Sequence, residues 1–151
     1  MLGASNPAGA HLERTPMLVF LPVNSYDREA GKIGLRSSFF QKGRLNVGKE
    51  LSRGNTALFC SPVTVAELWH GSRPSEHKFL DALFAVVQSV PIDQEIAKRT
   101  GEYLRQFRKS HSVELGDALI AATDVLHNLL LWTRNHKHYP MKGIAFYSAR
   151  D

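Results

Sequence analysis

The chain has 151 residues, 43% of them hydrophobic, with one cysteine and a formal net charge of +5, which fits about one globular domain with its own core. No apolar run approaches the ~18 residues of a membrane span, and the single Cys60 excludes an internal disulfide. The first sixteen residues have neither the basic start nor the apolar centre of a signal peptide. They read as a flexible tail ahead of one domain over 17–151, in a cytoplasmic, reducing setting with no membrane partner.

The apolar run Met17 to Val23 predicts a buried first strand, with Pro22 at its end because proline cannot donate to a ladder. From Asn24 to Gly54 no period holds. Gly31, Gly34, Gly43, Gly48 and Gly54 interrupt it, leaving only a short helix around Leu45 to Ser52. Between Asp27 and Arg53, seven basic residues face three acidic ones, with Phe39 and Phe40 among them. Such a basic segment, extending over 24–56, leans toward a polyanionic partner such as single-stranded nucleic acid.

Ala57 to Ser61 reads as a second strand and Pro62 to Gly71 as a helix, with Thr64 and Glu67 as a capping signature in its first turn. Glu76 to Val87 carries Phe79, Leu80, Leu83, Phe84 and Val87 on one helical side, and a brief extended piece follows at Val90 to Ile92. Asp93 caps a longer helix whose stripe is Ile96, Ala97, Thr100, Tyr103, Leu104 and Phe107. Leu115, Ala118, Leu119, Ala122 and Leu126 mark the packed face of the next helix. Strands at Leu129 to Thr133 and Ile144 to Tyr147 complete the pattern. Strands alternating with helices argue for an α/β domain on a mainly parallel sheet.

Asp117 lies at the start of its helix, where the positive end of the macrodipole keeps a carboxylate ionised, as a ligand of a hard cation must be. Glu67 begins a helix directly after a strand, so both acids are expected at the carboxyl edge of the sheet, able together to hold Mg²⁺ or Mn²⁺. Arg134 and Asn135 follow a strand at the edge where α/β sheets place ligands, with Arg134 suited to phosphate. His136 and His138 form an H-x-H pair without a cysteine or carboxylate at zinc-ligand spacing. Asp124, two helical turns beyond Asp117, is expected at the surface. Trp69 and Trp132 are read as core or interface aromatics.

Four blocks in series, SPVTVAELWHGSRP, VPIDQEIAKRTGEYLRQFRK, LGDALIAAT and LLWTRNHKHYP, resemble the PIN-domain ribonucleases, specifically the toxin half of VapBC toxin-antitoxin pairs, over roughly Ala57 to Tyr147. The resemblance implies a three-layer α/β/α fold and a cytoplasmic, Mg²⁺-dependent endoribonuclease. It also implies a homodimer, inhibited by a small antitoxin that enters the active-site groove. By the same resemblance the second and third family acids fall on Glu67 and Asp117, as metal ligands and catalytic residues, and the fourth position falls on Asn135. An amide there can orient a water or phosphate but adds no charge.

The family's first strand runs into an aspartate, whereas this chain has Pro22 in that place and Asn24 on the neighbouring polar position, a further candidate for contacting RNA. Asp27 is the only nearby carboxylate. Two carboxylates hold Mg²⁺ more weakly than four. The sequence therefore supports two readings, a metal-dependent endoribonuclease toxin or a catalytically impaired PIN-like module that binds RNA or antitoxin. A small phosphatase or nucleotide-binding domain is disfavoured, because no glycine-rich phosphate cradle follows any strand.

Overall fold

The computed structural model describes residues 15–19, 56–133 and 136–147. The basic segment, the helix expected around Leu45 to Ser52, and Pro22, Asn24, Asp27, Arg134 and Asn135 lie outside them.

Five strands form one sheet in the order β3-β2-β1-β4-β5: β1 (Thr15–Val19), β2 (Thr56–Cys60), β3 (Gln88–Ser89), β4 (Leu130–Trp132) and β5 (Ala145–Phe146). Every pairing is parallel, with Met17 opposite both Leu58 and Leu130. The chain builds outward from β1 to β3 on one side and then returns to the other, so the strand order reverses between β1 and β4. In open α/β sheets that reversal opens a crevice beyond the carboxyl ends of the strands.

Alternation along the strands divides the core into two layers. Leu58, Cys60 and Trp132 join Leu68, Leu80, Leu83 and Val87 on one face, which is covered by α1 (Pro62–Gly71) and α2 (His77–Val86). Leu131, with Phe59 packed alongside, joins Ile96, Tyr103, Ala118 and Ala121 on the other, under α3 (Gln94–His111) and α4 (Leu115–His127). This is the three-layer α/β/α arrangement the sequence predicts. Burial pushes the Cys60 thiol up to about 11, which suits an unreactive core residue.

Local chemistry accounts for the helix ends. Val63 N donates to Ser61 Oγ at 3.3 Å and Pro62 occupies the first helical position, where its missing N–H costs nothing. Ser61 is therefore the cap, Thr64 is buried inside the helix, and Glu67 lies in the second turn rather than the first. Ile96 N donates to Asp93 Oδ1 at 2.9 Å, so Asp93 caps α3 as expected. Ser112 and Asn128 close α3 and α4 in the left-handed region, with φ of 53° and 51°, a conformation asparagine tolerates at a helix end. The third strand falls at Gln88–Ser89 instead of Val90 to Ile92, because the ladder to β2 ends when Val90 N reaches Cys60 O at 2.9 Å.

Helix α4 differs most from its sequence pattern. It is wedged between the sheet and α3, so burial spreads over Ala118, Ile120, Ala121, Ala122, Thr123 and Asp124. The three alanines let α3 approach closely. Leu115, expected on the packed face, is 60% exposed, and Ala97 on α3 is exposed as well.

Candidate active site

Asp117 is the third residue of α4, and its carboxylate folds back on the helix start, where Oδ2 accepts from Glu114 N at 3.4 Å. The same oxygen lies 3.2 Å from His138 Nδ1, in a single turn of 3₁₀ helix (His136–His138) beyond the end of β4. A carboxylate only accepts, so His138 donates. With 7% exposure, Asp117 is held by a helix terminus on one side and a ring on the other. The helix end supplies a favourable field for its charge.

Glu67 reaches this position from α1. Its Oε1 lies 3.4 Å from where a side chain on Gly116 would begin, immediately beside Asp117. That is ordinary contact distance, so the Glu67 carboxylate lies against the first turn of α4. Burial raises the Glu67 carboxyl above the usual carboxylate range, and the charges of Asp117 and Glu114 raise it further. Like charges gathered in a half-buried pocket make up a site that a cation neutralises. Tyr139 follows the 3₁₀ turn and is 4% exposed; burial, then the charges of Asp117 and Glu67, push its phenol far up. It stays protonated beside Asp117, a hydrogen-bond donor in an acidic pocket.

The structure thus brings Glu67 and Asp117 to one place. Arg134, Asn135 and Asn24 lie outside the described residues. Among the described residues, no three His, Cys, Asp or Glu side chains converge as a metal-binding group. Two carboxylates still fit Mg²⁺, which keeps several waters and commonly binds one or two carboxylates plus substrate phosphates.

Sequence reasoning missed Glu114, Tyr139 and the role of His138. Glu114 stands three residues before Asp117, a spacing that signals a helix start. Nothing local signals His138, whose partner is 21 residues away. Asp124 was expected at the surface, yet it is 1% exposed, because its side of α4 is covered rather than open to solvent. Burial raises its carboxyl to about 7, and neither oxygen has a hydrogen-bond partner among the described residues. Trp132 is buried, whereas Trp69 is 37% exposed and leans on His77 at 4.7 Å between ring centroids.

The profile of the PIN domain matches residues 41–143. "Ribonuclease VapC10" of Mycobacterium tuberculosis is 40% identical over 91 residues, covering 60% of this chain and 68% of that protein. "Ribonuclease VapC1" of Methanocaldococcus jannaschii is 33% identical over 121 residues, covering 75% and 82%. Among solved structures, a toxin-antitoxin complex from Klebsiella pneumoniae aligns with a TM-score of 0.55 and 26% identity, over 72% of this chain and 88% of that one. DNA-bound VapBC from Salmonella typhimurium shares the fold, with a TM-score of 0.64 and 18% identity over 88% and 97% of the two chains.

Proposed function

The chain belongs to the PIN-domain family and, as a relative of VapC ribonucleases, is a ribonuclease toxin of a type II toxin-antitoxin pair; we propose that it hydrolyses RNA phosphodiesters with a divalent cation, Mg²⁺ or Mn²⁺, held between Glu67 and Asp117. The observation that carries this reading is the Glu67 carboxylate seated against Gly116, beside Asp117, its proton affinity raised by burial and by the charges of Asp117 and Glu114.

When bound, a divalent cation supplies Lewis acidity toward the phosphodiester and a water of lowered pKa. Asp117 offers a carboxylate already oriented by Glu114 N and His138, so little ordering is left for the moment of binding. Glu67 offers a second carboxylate across the pocket. Tyr139 keeps its proton and presents a donor on the Asp117 side. Asn135 is assigned to orient the attacking water or a phosphate, and Arg134 and Asn24 to contact the RNA backbone.

The antitoxin is assigned to the groove that holds these carboxylates, and the chain to a cytoplasmic homodimer. Among the described residues no helix is long and apolar enough to cross a membrane. Proline at position 22, where the family has its first acid, favours a second reading, a PIN-like module that binds RNA or antitoxin without cleaving it. One experiment separates the two. The unmodified chain is titrated with Mn²⁺ while cation binding, RNA binding and RNA cleavage are followed together: cation binding with cleavage supports the nuclease, and binding of RNA without cleavage at any cation concentration supports the module.

A further inference from the structure

Beside the carboxylates lies an aromatic feature that the hydrolytic chemistry does not use. His136 and Phe146 stack with ring centroids 4.3 Å apart and an interplanar angle of 15°. Both residues are exposed, Phe146 at 37%. Phe146 belongs to the edge strand β5, where it pairs with Leu131, and His136 opens the 3₁₀ turn beyond β4. His136 Nε2 donates to Thr133 O at 3.0 Å, so the imidazole is fixed by a hydrogen bond at one edge and by a ring on one face. An exposed phenylalanine stacked on a fixed imidazole is a flat, ordered surface with its conformational freedom already spent.

Its position ties it to the site. His138, two residues beyond His136 in the same turn, contacts Asp117, and 3₁₀ helices rise only about 2 Å per residue. Lys137, between the two histidines, and Lys142, on the approach to β5, are exposed. A flat aromatic pair flanked by lysines, one turn from the cation-binding carboxylates, matches a single-stranded polyanion whose units carry π-faces.

We infer that His136 and Phe146 form a stacking platform for a nucleobase of single-stranded RNA, placing a nearby phosphodiester against Glu67 and Asp117. The inference rests on the ribonuclease reading for its ligand class, and the lysines favour RNA over an apolar protein segment. The platform accepts any base, since every base offers a π-face, and sets the register of the strand rather than its sequence.

The test uses the full chain and short 2′-O-methyl oligoribonucleotides, which lack the 2′-hydroxyl, carrying 2-aminopurine at successive positions. Stacking should quench fluorescence at one position near the binding register. Phe146→Leu should abolish that quench and weaken binding by about tenfold or more, while Phe146→Tyr, which keeps the ring, should retain both. Thermal melts of the variants exclude loss of fold. Unchanged quench and affinity in Phe146→Leu, or no position-specific quench with the unmodified chain, overturns the platform. So does an unquenched oligonucleotide combined with Phe146→Leu weakening antitoxin association, which would assign the rings to a protein partner. Failure of the ribonuclease reading looks different: ordinary RNA stays intact with Mg²⁺ or Mn²⁺, while the position-specific quench and its dependence on Phe146 persist.

Discussion

His138 donates through Nδ1 to Asp117 Oδ2 at 3.2 Å, joining the turn beyond β4 to the first turn of α4. The contact is possible because α4 feeds β4 through the short Asn128 turn, so the strand carries the chain back across the sheet to the end where the helix began. In the proposed cation site, a ring that fixes the Asp117 carboxylate acts through that carboxylate, as a positioning residue.

Replacing His138 by alanine is therefore expected to lower Mn²⁺ affinity and cleavage by about 10- to 100-fold, with the thermal midpoint little changed because the ring is partly exposed. His138→Gln, which keeps a donor, should recover part of the loss. Calorimetric titration of Mn²⁺ alongside cleavage rates checks both.

Asp117→Asn keeps the shape of the side chain and removes its charge, so it should abolish cleavage and most cation affinity while the fold is retained. Measuring cleavage at millimolar Mg²⁺ decides the matter. Full activity in this variant would place the active site elsewhere.

Pro22→Asp should raise both cation affinity and cleavage, since it restores a carboxylate at the position where the resemblance places the family's first acid, and site affinity rises with carboxylate number. The comparison is between unmodified and variant chains across a Mg²⁺ titration.

Asp124 predicts an unusual pH dependence of stability. Burial raises its folded carboxyl from 3.8 to about 7, so between those values the folded state holds a proton that the unfolded state has released. This contribution is complete below about pH 4, is lost as pH rises toward 7, and is absent above, a span of up to about 4 kcal/mol. Asp124→Asn should melt higher than the unmodified chain at pH 8, with the gap closing toward pH 4. Thermal melts across that range check the sign.

Much of the architecture is local and can be read from the residues alone. Pro62–Gly71 forms the expected helix because proline suits its first position, and Asp93 caps α3 because its side chain reaches an N–H three residues away. Asp117 at a helix start follows from the same short-range chemistry. Such interactions act within about one turn, so residue order is enough to specify them. Tertiary structure decided the rest. Periodicity shows where α4 is amphipathic, but only its wedging between α3 and the sheet buries Asp124 and leaves Leu115 exposed. The seat of Glu67 against Gly116, the reach of His138 to Asp117 and the stack of His136 on Phe146 all depend on the order of the strands. They join residues far apart in the chain, whose encounter is set by burial of both sheet faces rather than by any local preference.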